Sequence, residues 1–114
     1  MTVEELADQT ILGGEPSSGT GILLTQRLAE KAALLPTPIG LGSTAAVKEA
    51  VHAGGGISLV LRGTAAAELQ AGRLHALQLQ DVELTKTLWI AHRAALVPED
   101  PIIRFRTALT NWAR

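Results

Sequence analysis

The sequence predicts an α/β fold, a three-layer sandwich in which helices cover a largely parallel sheet. Two observations lead to this prediction. Short apolar or alternating runs, typical of strands, alternate along the chain with segments whose apolar residues recur at helical spacing. This alternation favours parallel strands joined by right-handed helical crossovers. The chain has 114 residues, which is the length of one domain.

Each predicted element rests on a local pattern. In chain order we expect a helical turn at 3–7, a strand at 10–12, a helix at 22–35, a strand at 39–41, a helix capped by Ser43 or Thr44, a strand at 57–61, a short helix from Thr64 to Gly72, strands at 74–79 and 84–91, and a helix after Asp100-Pro101.

Capping residues and helix breakers set these boundaries. Thr2 followed by Glu5 is a capping-box pattern, which predicts the first helical turn. Pro36 ends the second helix, and three consecutive glycines at 54–56 end the third. The run 57–61 is apolar apart from Ser58, as expected for a strand that is buried on both faces.

The last helix begins at a cap followed by proline at the first helical position. Its residues Ile102, Phe105, Leu109 and Trp112 recur at helical spacing, so one face of the helix is apolar. We expect this helix to lie apart from the rest, because a polar stretch precedes it.

Composition excludes several classes of protein. Hydrophobic residues make up 46% and charged residues 18%, which excludes a disordered chain. The formal net charge of −1 provides no basic field for a nucleic acid. Cysteine is absent, so a disulfide scaffold and thiolate chemistry are excluded. No apolar stretch is long enough to span a membrane, and we expect a cytoplasmic protein without a membrane partner.

Catalytic and cofactor patterns are weak. The three histidines, His52, His75 and His92, lack the spacing of metal ligands. Gly40-x-Gly42 lies between a strand and a helix, as in a dinucleotide site, but Arg62 stands near the place where an acidic residue would hold the ribose. We therefore expect no cofactor, no metal and no enzyme, and keep a small nucleotide-dependent enzyme as a third hypothesis.

Two hydroxyl-rich loops are the candidate binding elements. Ser17-Ser18-Gly19-Thr20 and Ser43-Thr44 each follow a predicted strand and open a helix. Free N–H groups and the helix dipole at such positions favour an anion or a polar oxygen. Ligands of open parallel sheets lie at the carboxyl ends of strands, so both loops are expected to face one small polar ligand.

The sequence resembles the C-terminal part of the effector-binding domain of LysR-type transcriptional regulators. The segments that carry the resemblance are 6–9 (LADQ), 18–20 (SGT), 42–57 (GSTAAVKEAVHAGGGI), 68–74 (ELQAGRL) and Phe105. They follow one another in the family's order and spacing over nearly the whole chain. Many members carry a basic residue just after the S-G-T loop, where this chain has Gly21 and Ile22.

The resemblance implies a type II periplasmic-binding-protein-like fold, in which two α/β subdomains hold a small effector between them. Residues 1–114 would form a partial effector-binding domain, with the second subdomain at roughly 8–92 and a returning helix at roughly 100–113. Effector binding would change the orientation of the subdomains. DNA would be bound only through a domain absent from this chain.

The family's ligand contacts map onto seven positions of this sequence. They are Ser17, Ser18, Gly19, Thr20, Ser43, Thr44 and Gly56. The expected partners are a small polar metabolite or anion as effector and a second copy in a homodimer. The expected function is non-catalytic effector sensing. The alternative is a stand-alone dimeric interaction or scaffold module that has the same fold but binds no ligand.

Overall fold

Three segments run parallel at the centre of the fold. The computed structural model describes residues 1–80, 82–95, 97 and 99–112. In it, Ile11 is bridged to Ile57 and Leu12 to Ile39, both in parallel orientation. The N–H of Leu12 donates to the carbonyl of Ile57 over 2.8 Å, and the N–H of Gly13 donates to that of Ile39 over 2.8 Å. We number the segments in chain order: the first contains Ile11 and Leu12, the second contains Ile39 and the third contains Ile57. The first segment therefore lies between the other two.

Five α-helices and two 3₁₀ helices lie within the described residues. They are α1 (Val3–Ala7), α2 (Gly19–Leu28), a 3₁₀ helix (Ala29–Leu34), α3 (Thr44–His52), a 3₁₀ helix (Arg62–Ala65), α4 (Ala66–Gln70) and α5 (Pro101–Trp112). The capping box of Thr2 and Glu5 is present at α1, as predicted. Helices α2 and α3 each lie between two of the parallel segments in the chain, as the alternating pattern predicts.

The predicted helix at 22–35 has different boundaries in the structure. Helix α2 begins three residues earlier, at Gly19, because Ser18 provides its N-cap. It ends at Leu28, where Ala29 takes φ 48° and ψ −120°, a conformation that L-residues rarely adopt. The chain continues as a 3₁₀ helix, which places Ala32 and Leu35 against the buried cluster. The apolar contacts of these two side chains accompany the unfavourable backbone conformation of Ala29.

The predicted short helix between Thr64 and Gly72 is also divided. A 3₁₀ helix at Arg62–Ala65 precedes the single-turn helix α4, Ala66–Gln70. Gly72 has φ +68°, the left-handed conformation expected of a glycine that closes a helix.

The structure supports the strand predictions only at two isolated bridges. Pairing within the described residues consists of the two bridges, which involve the predicted strands at 10–12, 39–41 and 57–61. Residues of 74–79 and 84–91 form no ladder in the described part of the chain. The largely parallel three-layer sheet therefore stays a prediction beyond these bridges.

The core lies in the N-terminal part of the chain. Val3, Leu24 and Leu28 form a buried cluster, and Leu59 packs against it from the third segment. Elsewhere Ile11, Leu12, Val47 and Ala65 are buried. The core therefore joins helices α1 and α2 to the parallel segments.

The C-terminal part carries large exposed apolar side chains. We call Leu88, Trp89, Val97, Ile102, Phe105 and Trp112 the C-terminal apolar surface. Phe105 is 66% exposed and Trp112 is 84% exposed. Helix α5 packs extensively against none of the other described helices, as its separate position in the sequence predicts. The predicted helix end at 113 lies outside the described residues.

Candidate functional site

The first hydroxyl-rich loop forms a tight start to helix α2. The hydroxyl oxygen of Ser18 accepts a hydrogen bond from the N–H of Gly21 over 3.0 Å, and the N–H of Ser18 donates to the carbonyl of Glu15 over 2.8 Å. These bonds turn the loop back on itself. Ser17 and Gly19 are exposed, whereas Thr20 is half-buried.

Gly21 makes this close turn possible. A Cβ atom at this position would collide with the carbonyl oxygen of Glu15, and it would lie 2.7 Å from that of Gly14. A side chain at position 21 would therefore displace the loop. This contact is a physical reason for glycine at the place where the resemblance leads one to expect a basic residue.

The second loop caps helix α3. The hydroxyl oxygen of Ser43 accepts a hydrogen bond from the N–H of Ala46 over 3.1 Å. Gly42 precedes it with φ +74°, which a glycine adopts without strain. Of the two capping residues that the sequence allowed, Ser43 is the one used.

A cavity of about 280 Å³ brings the two loops together. Four of the seven predicted ligand positions line it, namely Ser18, Thr20, Ser43 and Thr44. The cavity begins where the first parallel segment ends, at Gly13 and Gly14. This is the carboxyl end of that segment, where parallel α/β folds place their ligands. Its size suits a small metabolite.

The remaining three predicted positions do not line this cavity. Ser17 and Gly19 are exposed residues of the first loop, and neither belongs to the cavity lining. Gly56 has φ +149°, and a Cβ atom there would collide with the carbonyl oxygen of Thr10. The structure thus shows a backbone reason for glycine at position 56, and the ligand role of these residues stays a prediction.

Sequence reasoning missed several residues of the lining. The cavity wall also contains Glu15, Gly42, Val47, Ser58, Leu59, Val60, Leu61 and Thr64. Ser58 donates a hydrogen bond to the carbonyl of Leu12 over 2.6 Å. A hydroxyl inside an apolar run was the signal for Ser58. No local signal marked Glu15 or Thr64.

Lys86 is a further cation beside the first loop. Its ammonium nitrogen lies so close to Gly19 that a Cβ atom on this glycine would be 2.7 Å from it. Among the described residues, no carboxylate forms an ion pair with Lys86. The two positions are 67 residues apart in the sequence, which explains why the sequence pattern did not connect them.

An ion pair supports the wall of the cavity. The ammonium group of Lys48 on α3 donates to the carbonyl of Thr64 over 2.8 Å and to the carboxylate of Glu68 on α4. The hydrogen bond from Lys48 lowers the pKa of Glu68 below its ordinary value of 4.5. The second carboxylate oxygen of Glu68 is buried and has no partner among the described residues. Lys48 thus links α3 to Thr64, which is part of the cavity wall.

A second cavity of about 450 Å³ adjoins the first. Its lining is largely apolar, with Leu23, Val51 and Leu84 among its side chains, and Lys86 at its edge. The two cavities share six lining residues, namely Thr20, Val47, Ser58, Leu59, Val60 and Leu61. No group of three potential metal ligands exists among the described residues. No described helix is both long and apolar enough to span a membrane.

Comparison with known proteins identifies the family. The family model of the LysR substrate binding domain matches residues 1–114. The HTH-type transcriptional regulator CbbR of Rhodospirillum rubrum is 34% identical over 93 residues, and CbbR of Xanthobacter flavus is 35% identical over 96 residues. The HTH-type transcriptional regulator CfxR of Cupriavidus necator is 31% identical over 93 residues.

Each alignment covers 82% of this chain, but only 31%, 28% and 29% of the respective relative. The chain therefore spans less than a third of the length of the curated relatives it matches. No solved structure matches it. Since the family model covers every residue, the chain belongs to the LysR substrate-binding domain family.

Proposed function

We propose that this chain is a non-catalytic effector-sensing module of a LysR-type transcriptional regulator. The effector is a small polar metabolite or anion. The observation that carries the proposal is the cavity between the two loops, which Ser18, Thr20, Ser43 and Thr44 line together. Hydroxyl-bearing residues at the N-terminal ends of two helices line a space of suitable size.

The family supplies the wider context. Its members have an α/β fold like that of periplasmic binding proteins, and the relatives named above are transcriptional regulators. We assign 1–114 to a partial effector-binding domain, with the second subdomain at roughly 8–92 and a returning helix from roughly 100. In this proposal the module acts in the cytoplasm as a homodimer, and DNA is bound by a separate domain.

Lys86 supports an anion as effector. Its ammonium group lies at Gly19, next to the first turn of α2. A cation at this place adds to the positive end of the helix dipole. Glu15 in the cavity wall opposes this attraction, so we expect a ligand whose negative group faces the Gly19 side.

A thermal-shift screen tests the proposal. The probes are inorganic phosphate, sulfate, small carboxylates and amino acids. A ligand at about 100 times its Kd adds about 2.7 kcal/mol to the free energy of unfolding, which is readily measured. A flat response to the whole panel would contradict binding in this cavity.

Two variants locate the site. Thr20→Val and Thr44→Val remove cavity hydroxyls while Ser18 and Ser43 keep capping their helices. We expect both to reduce the thermal shift caused by the probe. Thr37→Val, in an exposed loop, is the matched control. Lys86→Gln should reduce the response to anionic probes and leave that to neutral amino acids unchanged.

The alternative is a dimeric interaction or scaffold module that has the same fold and binds no ligand. The exposed C-terminal apolar surface is the observation that favours it. A dimer whose partner chain buries the loop at 17–20, together with a flat ligand screen, would support it.

A further inference from the structure

The second cavity lies between helices and segments from most of the fold. Helices α1 to α4 each contribute to its lining, and so do the third segment and the stretch 74–79. Seventeen of its 25 lining residues are apolar. Its volume of about 450 Å³ lies within the range of roughly 300–1,000 Å³ that is typical of small-molecule pockets. Because apolar cavities stay dry and take up apolar molecules, this cavity suits the apolar part of a ligand.

The charges around the second cavity favour an anion. Its lining contains four Lys, Arg and Glu residues, namely Lys48, Arg62, Glu83 and Lys86. Lys48 is already paired with Glu68, whereas no ion pair among the described residues involves the other three. Two cations therefore remain against one carboxylate. The carboxylate of a ligand would balance this excess of one positive charge.

The start of α2 provides a place for the anionic group where the two cavities meet. Thr20 lines both cavities, and the ammonium group of Lys86 lies beside Gly19. The N–H of Gly21 donates to the hydroxyl of Ser18, but those of Gly19 and Thr20 have no partner in the described part of the chain. Unpaired N–H groups at the first turn of a helix, together with an adjacent ammonium group, favour a carboxylate.

We propose that the effector is a monocarboxylate with an apolar tail. Its carboxylate lies at Thr20, beside Lys86, and its tail fills the second cavity along the wall that the two cavities share. A carboxylate without a tail would leave the apolar cavity empty, so each methylene that a tail buries adds affinity. The inference rests on the proposed function, because it names the chemical class of the ligand for that site.

Titrations of the whole chain with acetate, butyrate, hexanoate and octanoate, followed by thermal shift, test this inference. The Kd should fall about fourfold for each buried methylene until the cavity is filled. Hexanol has a similar tail without the charge, so it should bind more weakly than hexanoate. Lys86→Gln should raise the Kd of hexanoate roughly fivefold, the effect of losing one exposed ion pair, and leave that of hexanol unchanged.

Val51→Phe and Val97→Phe are a matched pair of variants that locate the tail. Val51 is a half-buried residue of the second cavity, whereas Val97 is exposed and lines neither cavity. We expect Val51→Phe to abolish the dependence of Kd on chain length, because the ring occupies the space of the tail. The response to acetate and inorganic phosphate should persist. Val97→Phe should behave like the unchanged chain, and circular dichroism verifies that both variants are folded.

The outcomes separate this inference from the proposed function. Equal Kd values for acetate and hexanoate would overturn the inference alone, and the second cavity would then be filled by protein and not by the effector. Hexanoate binding that Val51→Phe leaves unchanged would overturn the location of the tail. A flat response to every probe would overturn both proposals. If Val51→Phe does not fold, the chain-length series and Lys86→Gln still decide the outcome.

Discussion

Gly21 and Gly56 allow two close backbone approaches on which the candidate site depends. Gly21 lets α2 start against the carbonyls of Gly14 and Glu15. Gly56 brings the third segment against Thr10, next to the bridge between Ile57 and the first segment. In both places an added methyl group would collide with a backbone carbonyl oxygen, so one of the two backbone segments would have to shift.

Gly56→Ala should therefore lower the free energy of unfolding by about 3 kcal/mol, because it adds a backbone collision to an unfavourable positive φ. Gly63→Ala is the control, since no atom lies within 4 Å of its added Cβ. Its effect should be between no change and a gain of about 1 kcal/mol. Urea unfolding measures both. Equal losses in the two variants would contradict the close approach at Gly56.

The Lys48–Glu68 pair also acts at the residue scale. Lys48 lowers the pKa of Glu68 below 4.5, so the folded chain binds this proton more weakly than the unfolded chain. The stabilisation by this pair is then complete above pH 4.5, and it is lost as the pH falls through the lowered pKa.

From this sign we expect Glu68→Gln to lower the melting temperature near pH 7. The difference from the unchanged chain should shrink as the pH falls to about 3. Glu30→Gln changes an exposed glutamate without an ion pair among the described residues, and it controls for the loss of one charge. Thermal unfolding followed by circular dichroism at several pH values gives the comparison. A difference that does not vary with pH would rule out this role for the pair.

At the scale of single elements, the helices are defined by their first residues. Thr2, Ser18 and Ser43 each accept a hydrogen bond from an N–H three residues later. This bond satisfies a donor that the helix itself cannot pair. Two of these caps, Ser18 and Ser43, also lie in the candidate cavity, so the same short patterns begin the helices and form the site.

Ser43→Ala should destabilise the chain by about 1 kcal/mol, which corresponds to a fall in Tm of roughly 4–8 °C for a domain of this size. Loss of the hydrogen bond to Ala46 is the cause. Thr37→Ala, in an exposed loop, should change Tm by less than about 2 °C. Calorimetry measures both variants. A Ser43→Ala protein as stable as the control would show that the cap contributes nothing.

At the scale of the whole molecule, stability is distributed unevenly. The buried cluster and both parallel bridges lie in the N-terminal part. The C-terminal apolar surface lies outside this core. The molecule extends over 53 × 35 × 26 Å, and α5 carries no buried side chain among its described residues.

Hydrogen exchange should reveal this distribution. The amides of Leu12, Gly13, Ile39 and Ile57 donate bonds that join the three segments, and they should exchange most slowly. The amides of α5 should exchange much faster, because this helix makes few contacts with the other described helices and buries none of its described side chains. Mass spectrometry of peptides distinguishes these regions. Slow exchange of the α5 amides would contradict the uneven distribution.

Local patterns in the sequence predicted the helix caps at Thr2 and Ser43 and the meeting of two loops. The caps at Thr2 and Ser43 involve residues three apart, so their chemistry can be recognised without knowing the fold. The alternation of elements predicted parallel segments. Helices that begin at the ends of these segments bring the loops to one edge, and four of the seven predicted residues line the same cavity there.

Only the tertiary structure decided the rest of the site. Lys48 meets Glu68 twenty residues away, and Lys86 meets Gly19 across 67 residues. Helix α2 ends early, at Leu28, and the chain after it packs Ala32 and Leu35 against the buried cluster, a contact that depends on the tertiary structure. The sequence alone determined the caps, because hydrogen bonds to near neighbours set them, and its alternating pattern predicted the order of the helices and the three parallel segments. Contacts between distant residues depend on how the whole chain packs, and no local pattern specifies them.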